Sequence, residues 1–220
     1  MKKLICMLLS LCLFCAPALA IKGEVVDPNE LPYIPSEGGP SNWAVSEIES
    51  AMQAGLIPVL TGSPKYQDAI TREQFAELIV QSVEVMLDQD LEAAPANTFI
   101  DSSNPAVLKA SQARIVNGVG ENKFAPDVTT NREEIATMIA RAVKYIEQNN
   151  GTDLAPKAAS IAGFADQAQV SKWAVEGVGL LAANGMMNGT SATTLSPKES
   201  CTVEQSILLC YRLYVKFLAA

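Results

Sequence analysis

Two arginines, Arg72 and Arg132, hold one place in a recurring helix-opening motif. It reads Thr71-Arg72-Glu73-Gln74, then Asn131-Arg132-Glu133-Glu134, then Thr202-Val203-Glu204-Gln205. In each copy a Thr or Asn able to cap a helix is followed by Glu or Gln at the spacing of a capping box. That spacing puts each arginine at the first helical position, where unpaired backbone N–H groups and the helix dipole favour an anion. A guanidinium adds a planar fork that grips a carboxylate by two parallel hydrogen bonds. The chemistry suggested is recognition of an acidic ligand, and Val203 marks a copy without it. The plainer alternative pairs each arginine with a nearby acid, Glu73 or Asp68 for Arg72 and Glu133 for Arg132.

An apolar stripe at helical spacing follows each box. It is Leu78, Ile79, Val83 and Met86 in the first copy, then Met138, Ile139, Val143 and Ile146, then Leu209, Cys210, Tyr214 and Phe217. A weaker signature precedes each box. Trp43-Ala44, Ile48, Met52 and Gly55 in the first copy match Trp173-Ala174, Val178, Ala182 and Gly185 in the third. The second copy is worn, with Phe99-Ile100-Asp101, Val107, Ala110 and Arg114 to Gly118. Pro126 and Pro197 stand at one place in the connecting loops, where the first copy has Tyr66. These patterns predict helices over about 42–54, 71–89, 105–114, 131–148, 171–184 and 202–218, with Asn104-Pro105 as a strong start signal. The fold class expected is all-α, built from three helix–loop–helix copies at 41–90, 97–149 and 160–218. Units of about 60–70 residues that cannot each bury a core should pack together.

The ordered set resembles the S-layer homology family over roughly residues 41–218. Its opening Phe-x-Asp is matched by Phe99-Ile100-Asp101 and Phe164-Ala165-Asp166, and its closing Thr-Arg-Ala-Glu is approximated by the boxes at Thr71 and Asn131. The resemblance implies three repeats packed as a pseudo-threefold bundle that attaches secreted proteins non-covalently to cell-wall polymers, often a pyruvylated secondary polymer. It further implies a sugar acid in grooves between repeats with the closing Arg as a principal ligand. Carried over, Arg72 and Arg132 are the candidates and Val203 is not.

Composition narrows the partners. The chain has 220 residues, 24 acidic and 16 basic, for a net charge of −8, and no histidine. Such an acidic balance disfavours nucleic acid, whose binders carry a basic footprint. It also means that local arginines must overcome a repulsive field to hold an anionic polymer. Residues 1–20, with Lys2-Lys3, an apolar core and Ala18-Leu19-Ala20, read as a secretory signal peptide, and 21–40 as a Pro/Gly-rich arm. No later apolar run is long enough to span a membrane. With the signal peptide, the resemblance implies a secreted protein at the cell wall or cell surface. Cys201 and Cys210 are too far apart along a helix to bridge and read as one buried and one near-surface thiol.

Other candidate ligand-binding residues are Trp43, Trp173, Asp101, Asp166, Gly118 and Gly189. A Trp at a helix start more often packs into a core, and the aspartates more often cap helices. The glycines follow Asn in turn signals and would permit close approach by a sugar. Met186-Met187 reads as packing. Without histidine, no Ser–His or Cys–His pair exists and no base near neutral pH stands out. No catalytic residue, cofactor or metal is expected. The partner expected is a secondary wall polymer or peptidoglycan. The alternative is another envelope protein, bound by a fold that has lost its glycan.

Overall fold

The computed structural model describes residues 38–220; the expected signal peptide and residues 21–37 of the arm lie outside the described residues. Six α-helices appear: α1 (Val45–Gln53), α2 (Arg72–Leu87), α3 (Pro105–Gln112), α4 (Arg132–Asn150), α5 (Val175–Ala183) and α6 (Val203–Ala219). The fold is all-α. A short 3-10 turn, Gln167–Gln169, precedes α5, and only isolated β-bridges occur among the described residues.

Local chemistry sets the helix ends. All three capping boxes form, with the Thr71, Asn131 and Thr202 side chains accepting from the third helical N–H while Gln74, Glu134 and Gln205 reach back to the cap N–H. Asn104 accepts from the Ala106 N–H ahead of Pro105, which needs no partner of its own. Two starts correct the sequence expectation. Helices α1 and α5 begin at Val45 and Val175, not at 42 and 171, because a turn precedes each. In those turns Ala44 N–H donates to Ser41 O at 2.7 Å and Ala174 N–H to Ser171 O at 2.8 Å.

The long helices α2, α4 and α6 touch one another, and every short helix packs on a long helix of a different copy: α1 on α6, α3 on α2 and α5 on α4. No copy is therefore a self-contained unit. The exchange is tied at a hub of three backbone hydrogen bonds. Ile70 N–H donates to Cys201 O at 3.0 Å, Cys201 N–H to Thr130 O at 3.1 Å, and Thr130 N–H to Ile70 O at 3.0 Å. Each of these residues lies just before a capping box, so the hub aims the three long helices outward from one point.

A second tie uses the glutamate after each arginine position. The Glu204 carboxylate accepts from the Ser41 N–H and hydroxyl, at 2.9 and 2.8 Å. Glu133 accepts from Ser171 N–H at 2.9 Å and is paired with Lys198, and Glu73 accepts from the Ser102 hydroxyl at 3.1 Å. Each bond ties the start of a long helix to the segment that leads into the short helix packed on it. Glu133 and Glu204 are buried but fully partnered, as buried charge requires.

One core unites the copies, with Phe75, Leu78, Ile79, Phe124, Ile135, Ile139 and Ile146 all enclosed. Met186 and Met187 pack into it as expected. Both thiols are free and both are buried, so the expectation that one lies near the surface is corrected. Cys201 is the hub residue, and its place in the ring of bonds encloses it. Burial pushes the Cys201 thiol up and the Cys210 thiol up to about 12. Because the thiolate is the reactive form, iodoacetamide at pH 8.5 should label neither residue in the native chain and both in denaturant, as read by peptide mass spectrometry. Labelling of native Cys201 would contradict a closed hub.

Candidate functional site

The same loops that build the hub build two grooves. The first two N–H groups of each long helix donate to the loop of another copy. Arg72 and Glu73 donate to Val128 O and Pro126 O, Arg132 and Glu133 to Glu199 O and Pro197 O, and Val203 and Glu204 to Asp68 O and Tyr66 O, all at 2.9–3.1 Å. The third N–H goes to the cap side chain. This corrects the expectation that free helix N–H groups would receive an anion: those donors are already taken.

The arginine side chains are tied in the same way. Arg72 donates through Nε to Phe124 O at 2.9 Å and through Nη2 to Asn117 O at 2.9 Å. Arg132 donates through Nε to Leu195 O at 2.8 Å and through Nη2 to Asn188 O at 2.9 Å. Arg72 also lies over the Phe124 ring, 4.7 Å from its centre, a favourable cation–π contact. Neither arginine makes an ion pair with Glu73, Asp68 or Glu133, so the simple pairing alternative is also corrected. Carbonyls hold each guanidinium without neutralising it. Every enclosed side-chain nitrogen among the described residues has a partner, so the Nη1 atoms of both arginines, which carry no hydrogen bond, keep some solvent contact even though Arg132 is otherwise buried.

What they face is alike in the two cases. One groove, about 450 Å³, is lined by Arg132, Asn188, Gly189, Gln205, Arg212 and Trp43, among others. The other, about 150 Å³, is lined by Arg72, Asn117, Gly118, Glu134, Arg141 and Trp173, among others. Each brings together an arginine at a helix start, an Asn-Gly turn, a second arginine from the neighbouring long helix and a tryptophan from the turn before a short helix. Trp43 and Trp173 are 59% and 57% exposed. The expectation of core packing for them is thus corrected: because α1 and α5 start late, both rings sit on turns at the groove edge.

Arg141 and Arg212 were not singled out from sequence. Each lies about nine residues beyond its box, two and a half helical turns along, and that shared offset was the available signal. Their charge is felt: burial lowers the Arg72 pKa, Glu134 opposes this and Arg141 lowers it further. For Arg132, burial again leads and Arg212 adds to the lowering. Arg212 is paired with Glu47 at 2.9 Å. Arg141 has no ion pair among the described residues; with the Asn117 amide turned so that its oxygen faces Arg141, Nη2 donates to that oxygen at 3.3 Å. Two guanidinium groups share each groove, offset by Glu134 in the first and by the Glu47 pair of Arg212 in the second.

The third groove has lost the whole set. Val203 replaces the first arginine, Pro58-Val59 the Asn-Gly turn, Gln81 the second arginine and Ser102 the tryptophan. In its place Glu77 accepts from Thr61 N–H at 2.9 Å, the Thr61 hydroxyl at 2.6 Å and Asn104 Nδ2 at 2.7 Å. A recess there of about 260 Å³ is lined by Glu77, Glu84 and Lys109, with Lys109 paired to Glu84 at 2.6 Å, so it offers an anion no uncommitted cation.

The remaining candidates serve the loops. Asp101 accepts from Phe124 N–H at 2.8 Å and Ala125 N–H at 2.9 Å. Asp166 accepts from Leu195 N–H at 2.9 Å and Ser196 N–H at 2.7 Å. Neither caps a helix, which corrects that expectation, and neither lines a groove. They hold the residues whose carbonyls grip Arg72 and Arg132. At Gly118 and Gly189 an added Cβ would fall within 3 Å of the loop carbonyls of Lys123 and Thr194. The close approach that demands glycine is therefore made by the protein's own loop, and both glycines also line the grooves.

The Phe124 amide is the chief cause holding the Asp101 carboxyl below its ordinary 3.8. A depressed folded-state pKa contributes stability that is complete above the unfolded value and lost as pH falls through the folded one. Thermal melts should therefore show the chain losing stability below about pH 4, and Asp101→Asn should flatten that slope. An unchanged slope would remove Asp101 from the loop tie.

Comparisons with known proteins bear on the repeated segments. The S-layer homology domain model matches residues 100–136 and 163–202, each running from a short helix to a capping box. An exoglucanase, XynX, of Acetivibrio thermocellus is 26% identical over 186 residues, covering 80% of this chain and 16% of that protein. An amylopullulanase of Thermoanaerobacterium thermosulfurigenes is 25% identical over 186 residues, 80% of this chain and 9% of that protein. An endoglucanase of Bacillus sp. strain KSM-635 is 30% identical over 106 residues, 45% of this chain and 11% of that protein. The chain thus corresponds to a small part of each relative. No helix among the described residues is long and apolar enough to cross a membrane. Segments 100–136 and 163–202, in the second and third copies, match the S-layer homology domain, a type that is generally a cell-wall anchoring module.

Proposed function

We propose that this chain attaches non-covalently to an acidic secondary cell-wall glycopolymer, of the pyruvylated kind, through the Arg72 and Arg132 grooves. The observation that carries the reading is the recurrence of one set, two guanidinium groups beside an exposed indole, in two grooves, together with its complete loss from the third. A carboxylate fits between the two arginines of each groove, with Nη1 of Arg72 or Arg132 as donor. The tryptophan offers an apolar face for the sugar ring beside it. The third copy completes the bundle and supplies one wall of the Arg132 groove, so Val203 costs only the third groove.

The shared segment in relatives named for different reactions supports attachment rather than chemistry as its role. No nucleophile–base pair enters either groove, and the groove residues themselves bind charge rather than transfer protons. The export and surface location that the leader suggests belong to the same proposal. The competing reading, a protein partner in the envelope, would rest on the acidic faces rather than on these grooves.

Arg72 and Arg132 also hold loop carbonyls, so their removal confounds binding with folding. The outer members of each set are better probes. Arg141→Ala and Trp173→Ala, combined with Trp43→Ala, should leave the melting temperature nearly unchanged, because these side chains are partly or largely exposed. They should nonetheless reduce sedimentation with purified wall sacculi by tenfold or more, since one charge-assisted bond is worth roughly 1.5–3 kcal/mol. Binding by the wild-type chain should vanish when hydrofluoric acid strips secondary polymers from the sacculi, and should weaken as salt is raised. Wild-type binding that survives stripping would move the ligand to peptidoglycan. Capture of an envelope protein unaffected by these variants would favour the competing reading.

A further inference from the structure

The Arg72 groove does not end at Arg141. A recess of about 360 Å³ continues beyond it, lined by Arg114, Arg141 and Lys144 with Asn117, Tyr145 and Gln148, and no acidic residue lines it. Asn117 and Arg141 belong to both spaces. In a chain of net charge −8, three cations line this recess without a carboxylate, while Arg141 and Lys144 also border a neighbouring recess with Glu147 and Glu176. None of the three makes an ion pair among the described residues. In the Arg132 groove the second arginine, Arg212, is instead tied to Glu47.

An independent observation concerns Arg114. It holds a left-handed backbone, with φ of 57°. The equivalent residues after α1 and α5 are Gly55 and Gly185, with φ of 71° and 70°. All three make the same helix-ending bond, to Ser111 O, Met52 O and Ala182 O. Glycine adopts this conformation freely, whereas arginine is strained in it. A cation does favour a helix C-terminus, but Lys109 already supplies one in the last turn of α3. A residue kept in a strained backbone conformation while lining a recess is a reason to ask what it binds.

We propose that this recess is a second anion subsite continuous with the Arg72 groove, so that this groove takes two successive charged units of one acidic glycan chain. The inference rests on the reading that such a glycan occupies the Arg72 groove. Arg141, between the two spaces, is shared. The first unit lies against Trp173 and Arg72, and the second carboxylate or phosphate ester lies against Arg114 and Lys144. The two grooves then differ in kind: the Arg132 groove holds a single charged unit, while the Arg72 groove measures length.

The test uses the full chain and the anionic polymer released from sacculi of the source organism, separated into single-repeat and multi-repeat fractions. Arg114→Gly combined with Lys144→Ala should leave single-repeat affinity unchanged. It should weaken multi-repeat binding roughly two- to fivefold, the range for exposed charge pairs, with a shallower salt dependence. Arg114→Gly should melt no lower than wild type, because glycine relieves the strain, and Arg114→Lys should retain multi-repeat affinity. Unchanged multi-repeat affinity in the double variant, with binding still lost in Trp173→Ala, would overturn this inference and leave the proposed function standing. Failure of the wild-type chain to bind either fraction would overturn both. Equal competition by inorganic polyphosphate would overturn the glycan subsite and mark the recess as a general anion patch.

Discussion

Three backbone hydrogen bonds, among Ile70, Thr130 and Cys201, constrain everything else in this molecule. Each residue donates to one neighbouring copy and accepts from the other, so none of the three strands of chain can shift alone. The capping boxes follow at once, and the long helices must leave the hub in the directions it sets. The short helices then fill the outer faces of long helices from other copies. Cooperativity follows from this interleaving, because separating one copy exposes the apolar stripes of two.

The hub also explains why the arginines look both structural and functional. A helix start pressed into another copy's loop consumes the N–H groups that an anion would otherwise use. The loop carbonyls that crowd the same place are partly negative, and Arg72 and Arg132 answer them with Nε and Nη2. The Nη1 edge of each guanidinium is left without a hydrogen bond. The proposed recognition of an acidic ligand would thereby be built onto an element that the fold already requires. Where Val203 replaces arginine, the backbone bonds to Asp68 and Tyr66 persist, and the apolar side chain is simply buried. The copy keeps its place in the bundle without keeping a ligand.

Helix number, caps and core faces were legible in the sequence because capping boxes and stripes are local patterns. The stripes at Leu78, Ile139 and Leu209 all point into the core. What was not legible depends on pairing between copies. Nothing local says that α1 packs on α6, so Trp43 read as a core residue when it borders a groove made with Arg132. Nothing local distinguishes Asp101 as a helix cap from Asp101 as an acceptor for Phe124 and Ala125, since both use a carboxylate and two amides. Cys201 read as near-surface because a helix start usually is; the hub encloses it. Arg141 and Arg212 stood at one offset in two copies, but their meaning appears only when each faces the arginine of a different copy.

The two tryptophans of the chain, Trp43 and Trp173, lie one at each groove, so their fluorescence reads occupancy directly. The decisive measurement is a titration of the chain, and of its Trp43→Phe and Trp173→Phe variants, with polymer released from the wall. The account predicts a saturable change in emission in both single-tryptophan variants, weakened by salt and matching the sedimentation affinity. Polymer that binds the chain while leaving both emissions unchanged would place the ligand elsewhere and contradict the grooves as its site.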